Sequence, residues 1–249
     1  MPIRQTIDGN VLVITMDREN KRNAIDMDMA IGISTALDSL DDDDDLWVGI
    51  LTGTETVFSA GSDMNGGVQG RTERGGEYGL IRRHRNKPLI AAVEGPALGG
   101  GFEIALACDL IVASTTARFA LPESRRGVVA NSGALFRAPR ALPIHIAKQL
   151  LITNMGLTAE RAFQLGLVNI VAEPGDALRQ ARNLAGEICQ SSPIAVRQTL
   201  AAIASQFAEA DDRGWEATAR AIEAVKASED MKEGINAFFE RRAPQWSGR

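Results

Sequence analysis

Short apolar runs that end in small residues are the feature that most limits how this chain can fold. Residues 46–52 and 89–93 are continuous apolar strands without polar alternation, the composition of strands covered on both faces. The first leads into Phe58-Ser59-Ala60-Gly61-Ser62-Asp63, and the second into Ala97-Leu98-Gly99-Gly100-Gly101. A helix runs from the glycine triplet through residue 107, and another strand follows at 109–113. Repeated β-then-α units of this kind build an α/β domain with helices laid on a mostly parallel sheet.

Around this centre the pattern is simpler. Residues 3–7 and 11–16 flank Asp8-Gly9-Asn10 as a hairpin. Asn23-Ala24-Ile25-Asp26 opens a helix to about residue 40, and the acidic run 41–45 reads as a solvated loop. The glycine-rich, charged stretch 65–79 reads as mobile, with a helix after it to about residue 87. Arg82, Arg83, Arg85 and Lys87 on that helix are either a solvated face or contacts to an anionic ligand. From about residue 143 onward the pattern is almost wholly helical, with apolar residues at helical spacing over 178–188, 195–207, 215–226 and 231–241. No linker separates the regions, and 249 residues suit one large domain or one with a helical appendix.

Composition removes several function classes. A net charge of −5 argues against a nucleic-acid surface. Cys108 and Cys189, both in apolar stretches, read as buried thiols in a reducing compartment, not as a disulfide framework. With His84 and His145 alone and no zinc spacing, no metal site is expected. Met1-Pro2-Ile3-Arg4-Gln5 does not resemble a secretory leader, and no apolar run reaches the roughly 18 residues of a membrane span. A soluble, cytoplasmic protein is the expectation.

The candidate chemistry sits at the glycine triplet. Glycines bring bare backbone N–H groups to a helix start, where orphan donors and the dipole favour a developing oxyanion. Two carboxylates lie close by in sequence, Glu103 in Gly99-Gly100-Gly101-Phe102-Glu103 and Glu123 in Leu121-Pro122-Glu123. Singly, each reads as a surface acid; together they are equipment for moving a proton on and off carbon or water. The two small-residue turns share one design, and each can aim a backbone N–H at one point, from Ser62 and from Gly100. No Gly-x-Ser-x-Gly elbow, Cys–His motif, Gly-x-Gly-x-x-Gly or Walker loop is present. Two donors and two acids without a nucleophile point to proton chemistry beside a carbonyl, through an enolate-like state.

Five segments in order resemble the crotonase family, the enoyl-CoA hydratase/isomerase superfamily, along nearly the whole chain. They are Asn23-Ala24-Ile25-Asp26, the 58–63 loop, the stretch from Lys87-Pro88-Leu89 to Gly101, Phe119-Ala120-Leu121-Pro122-Glu123, and Glu233-Gly234-Ile235-Asn236-Ala237-Phe238 with Arg241 beyond it. The resemblance implies a crotonase-like spiral of ββα units with a C-terminal helical region. Residues 1–190 would form the α/β core with the catalytic and CoA sites, and 191–249 a region for oligomerisation and closure of the CoA site. It further implies syn hydration of a trans-2-enoyl-CoA, with Glu103 and Glu123 handling the water and Glu123 donating to Cα. Ser62 and Gly100 N–H would take the thioester oxygen. Lys21, Arg22, Ala24, Ala60, Asp63, Met64, Phe238 and Arg241 match the family's CoA-binding positions, the last two often reaching a neighbouring subunit. No cofactor is implied beyond the coenzyme A of the acyl-CoA substrate, no nucleic-acid or membrane partner, and assembly as a homotrimer or dimer of trimers.

One segment departs from the family pattern. Hydratases usually carry a Pro-Gly-x-Gly-Gly-like turn where this chain has Val129-Ala130-Asn131-Ser132-Gly133. Asn131 and Ser132 are either a tolerated turn variant or polar groups that tune the site to a β-substituent. The stretch 101–143 is especially similar to carnitinyl-CoA dehydratases, which leaves a dehydratase or isomerase of the same fold as the alternative. A non-catalytic acyl-CoA binding protein is the remaining one, and the two retained carboxylates count against it.

Overall fold

The computed structural model describes residues 2–63 and 70–249. Strands β1 (Ile3–Asp8) and β2 (Val11–Met16) form the expected antiparallel hairpin, and α1 (Met27–Asp42) follows. Asp26 caps α1 by accepting the Met29 N–H at 3.0 Å. Met29, Ile33, Leu37 and Leu40 then fall on one buried face at helical spacing. After β3 (Val48–Thr52) come the short pair β4 (Arg71–Thr72) and β5 (Gly76–Glu77), then β6 (Leu89–Val93) and β7 (Pro96–Leu98). Helix α2 (Gly100–Ala107) starts at the glycine triplet and leads to β8 (Leu110–Ser114) and β9 (Arg118–Ala120).

The main sheet runs β1-β2-β3-β6-β8-β11, with β11 (Ile170–Ala172) at its far edge; every pairing beyond the hairpin is parallel. One face packs on α1 and α2. The other is covered by α6 (Ala177–Cys189), where Ala181 and Ala185 let the helix approach Val13, Val48, Ile50, Ile90 and Val112 closely. That double cover is why β3 and β6 are buried at every residue. A second sheet, β10-β9-β7, with β10 (Leu157–Thr158), lies beside it. The expected α/β class is the one observed.

Several sequence expectations change. No helix forms over residues 80–87; turns and bends take its place, after a positive φ at both Tyr78 and Gly79 (57° and 75°). Of the basic residues there, Arg82 is exposed and pairs with Glu77, and the other three bond within the chain. The Arg83 side chain, fully buried, pairs with Asp38 and Asp41 of α1, and Arg85 pairs with Asp109. Lys87 donates to the carbonyls of Leu40 (2.7 Å) and Asp43 (2.6 Å), capping the negative end of α1. The acidic run is therefore split, with Asp41 and Asp42 finishing α1. Residues 65–69 of the stretch read as mobile lie outside the described residues, and 70–79 form the partly buried β4–β5 pair.

Beyond residue 143, β10 and β11 interrupt the helices; strands of two and three residues are too short to show alternation. Helices α3 (Ala134–Ala141), α4 (Ile144–Thr153) and α5 (Ala159–Gln164) lie before α6, and α7 (Pro193–Ser205), α8 (Ala208–Lys226) and α9 (Glu229–Glu240) end the chain. Among the described residues no helix is long and apolar enough to cross a membrane. They also contain no cluster of His, Cys, Asp and Glu arranged to hold a metal ion.

Candidate active site

The two small-residue turns are zipped together by backbone. Phe58 and Ser59 N–H both donate to the Pro96 carbonyl at 3.1 Å, and Leu98 N–H donates to Ser59 O at 2.9 Å. The approach is so close that a Cβ on Gly101 would stand 2.2 Å from Ser59 O. Asn23, fully buried, clasps the first turn from behind: its amide donates to the carbonyls of Val57 and Phe58. Gly61 O and Asp63 N–H both bond Ile25, at 2.8 and 3.0 Å. Alternate backbone groups in an extended segment face opposite sides, so the Ser62 N–H between them points away from Ile25.

Gly100 opens α2, where its N–H belongs to the group with no intrahelical acceptor. A side chain is excluded there: a Cβ on Gly100 would lie 2.2 Å from the Tyr78 hydroxyl. That hydroxyl is 2.8 Å from Ser62 Oγ, so Tyr78 bridges the two turns. Gly99 N–H bonds Ala120 O at 2.8 Å, which draws the end of β9 and the following Leu121-Pro122-Glu123 up to the start of α2.

These elements enclose a cavity of about 360 Å³. Ala60, Ser62, Tyr78, Gly100, Glu103, Glu123, Asn131 and Phe238 stand on its wall. Glu103 is 1 % exposed, and its Oε1 accepts the N–H groups of Ser132 (2.7 Å) and Ala134 (3.1 Å). Burial first, and the Glu123 charge second, push its carboxyl up to about 7 from an ordinary 4.5, against those two bonds and the Arg137 charge. Burial likewise raises Glu123, opposed by its own backbone N–H and by Arg126. Glu123 Oε2 is buried with no hydrogen-bond partner among the described residues. A pair of raised carboxyls on one wall, one with an open oxygen, can hold a water and exchange a proton with it.

The other sequence candidates divide. Asn131 is on the wall, whereas Ser132 is fully buried behind it, holding Glu103 by its N–H and donating its hydroxyl to Asn131 Oδ1 at 3.0 Å. Of the CoA-matching set, Ala60 and Phe238 reach the cavity. Lys21, Arg22 and Ala24 form the neighbouring segment, joined to it by Ala60 N–H on Arg22 O at 3.0 Å. Asp63 pairs with Arg18 at 2.7 Å. Arg241 is exposed at the end of α9, off the cavity wall, and Met64 lies outside the described residues. This chain's own α9 lines the cavity with Met231, Gly234, Ile235 and Phe238, and a Cβ on Gly234 would stand 2.3 Å from Arg126 O. Sequence reasoning missed Tyr78, Arg18 and Arg126. The first is the chain's single tyrosine, the only signal it offered.

Comparison with known proteins shows the family and the fold. Residues 6–249 match the family model described as enoyl-CoA hydratase/isomerase. A carnitinyl-CoA dehydratase of Salmonella arizonae is 40 % identical over 99 % of this chain and 98 % of the relative. The crystal structure of carnitinyl-CoA hydratase from Mycobacterium avium superposes with a TM-score of 0.92 at 35 % identity, covering 100 % of this chain and 99 % of that one. The enoyl-CoA hydratase structure from Mycobacterium tuberculosis H37Rv gives a TM-score of 0.81 at 42 % identity with the same coverage. The chain thus belongs to the enoyl-CoA hydratase/isomerase family, the crotonases.

Proposed function

We propose that this crotonase-family hydro-lyase adds water across the Cα–Cβ double bond of a trans-2-enoyl-CoA, giving the 3-hydroxyacyl-CoA, and catalyses the reverse elimination with the same groups. The observation that carries the reading is the pair Glu103 and Glu123, buried on one wall with Glu123 Oε2 open. The thioester oxygen accepts the Ser62 and Gly100 N–H groups, which stabilises negative charge there and leaves Cβ electrophilic. Water rests between the carboxyls. Glu103 takes its proton as the oxygen bonds to Cβ, and Glu123 gives a proton to Cα from the same face. The pair holds one proton before and after; its return to Glu123 by exchange resets the site. Lys21, Arg22, Ala24, Ala60, Asp63, Met64 and Arg241 bind the CoA portion, Phe238 stands at the wall shared with the acyl group, and the reaction balances without a cofactor.

A second reading, dehydration of carnitinyl-CoA, draws on the names of the Salmonella and Mycobacterium avium relatives and on Asn131 at the wall, within reach of a β-substituent. Steady-state loss of enoyl absorbance tests both. Glu103→Gln and Glu123→Gln each lower kcat on crotonyl-CoA by about 10²- to 10⁴-fold with little change in KM. A near wild-type rate for either variant sinks the two-carboxylate mechanism. Rates on crotonyl-CoA beside its 4-trimethylammonio analogue separate the two substrates.

Residues 191–249 serve, in the same proposal, for assembly into a trimer or a dimer of trimers. Ile194 (71 % exposed) and Ile203 (49 %) on α7 are apolar side chains left to solvent in the single chain, which supports it. Light scattering that finds a stable monomer at micromolar concentration refutes this part.

A further inference from the structure

The wall of the cavity carries a cation that the hydration chemistry does not use. Arg126 closes the 3₁₀ turn Glu123–Arg126 and is half-buried between the catalytic cavity and an adjoining one of about 230 Å³. Its guanidinium carbon sits 4.8 Å from the Phe238 ring centroid, over an aromatic face that α9 supplies. Several other sheltered arginines have partners: Arg18 pairs with Asp26 and Asp63, Arg83 with Asp38 and Asp41, Arg85 with Asp109, and Arg137 donates to the carbonyls of Ser132 and Ile81. Among the described residues the Arg126 guanidinium makes no hydrogen bond and no ion pair. A guanidinium carries five donors, no acceptor, and a charge it does not lose. It feels the Glu123 charge without touching it, so its donors stay open to an acceptor from the ligand.

The direction of the ligand decides which part reaches it. With the thioester oxygen on Ser62 and Gly100 and Cα and Cβ beside Glu103 and Glu123, the CoA arm leaves past Ala60 toward residues 21–24. The acyl group beyond Cβ is what meets Arg126, Val128, Val129 and Met231. The CoA diphosphate is separated from the thioester by the whole pantetheine arm, and Arg126 is only three residues from Glu123.

Resting on the acyl-CoA reading above, we propose that Arg126 is a specificity residue: it selects acyl groups bearing a carboxylate beyond Cβ and disfavours those bearing a quaternary ammonium. A carboxylate takes two parallel N–H bonds from the guanidinium; a trimethylammonium group meets like charge at the same place, with the Phe238 face already covered by Arg126.

Calorimetric binding of saturated thioesters, which cannot be hydrated, tests this without turnover. Glutaryl-CoA, butyryl-CoA, 4-(trimethylammonio)butyryl-CoA and CoA alone are titrated into the wild type, Arg126→Met and Arg126→Lys. The wild type binds glutaryl-CoA about 10- to 100-fold more tightly than butyryl-CoA, the range of a hydrogen bond to a charged group, and the cationic thioester most weakly. Arg126→Met brings the three within about threefold of one another, and Arg126→Lys keeps part of the preference. Equal wild-type affinities, or a preference for the cation, overturn the assignment alone. An equal loss for all four ligands in Arg126→Met overturns it by assigning Arg126 to the CoA phosphates. Absence of binding by every thioester to folded wild-type protein overturns the acyl-CoA reading as well.

Discussion

Replacing Glu103 with Gln should make the protein more stable at alkaline pH while it removes activity, and the size of the gain follows from the burial of the carboxyl. Glu103 is 1 % exposed and its carboxyl is pushed up to about 7 from 4.5. Between those values the folded chain holds a proton that the unfolded chain has released, so folding stability falls as pH rises. The contribution is intact below 4.5 and lost above about 7. Relative to a neutral side chain, the ionised form costs nearly nothing at pH 4, about 2 kcal/mol at pH 6 and about 3 kcal/mol at pH 8. Gln keeps the volume and an Oε1 that still accepts the Ser132 and Ala134 N–H groups. Its advantage should therefore track the ionisation alone. For a domain of this size about 3 kcal/mol is about 6–12 °C in Tm.

Thermal unfolding followed by circular dichroism at pH 4, 6 and 8, with both proteins at one concentration because assembly shifts Tm, gives the measurement. The difference between Glu103→Gln and the wild type should open steadily with pH. In a Glu123→Gln background it should shrink, since the Glu123 charge is the second cause of the elevation. A difference that stays flat across pH, or a variant less stable at pH 8, would show that the fold does not hold Glu103 against its ionisation. The raised carboxyl would then lose its place in the mechanism.

A second expectation concerns the oxyanion donors. Gly100→Ala places a methyl 2.2 Å from the packed Tyr78 hydroxyl and so displaces the α2 N-terminus; kcat on crotonyl-CoA should fall about 10²- to 10³-fold, as for loss of one donor. Unchanged kcat in a folded Gly100→Ala protein refutes Gly100 as a donor.

What the sequence disclosed and what it hid divide along the distance over which each residue acts. The glycine triplet, Glu103 and the hairpin were legible because each is fixed by its own backbone: a positive φ of 54° at Gly99, a helix start, a two-residue turn. Both faces of β3 and β6 were legible for a related reason, since an unbroken apolar run has no side to give to water. The helix expected over 80–87 fails because its arginines look like a solvent face until Asp38 and Asp41 of α1 are brought against Arg83. Nothing in the local spacing of charges announces partners about forty residues away. Tyr78 was hidden in the same way: its positive φ is a conformation a tyrosine rarely takes, held by packing against a glycine twenty-two residues on. Arg126 was the furthest from view. Beside Arg125 it reads as one more surface cation, and it reaches the cavity wall only because Gly234 lets α9 settle onto the 3₁₀ turn and bring Phe238 under the guanidinium. The candidate pair Glu103 and Glu123 is thus written in a short stretch of chain. The specificity proposed for Arg126 rests on a contact with Phe238, more than a hundred residues away in the chain.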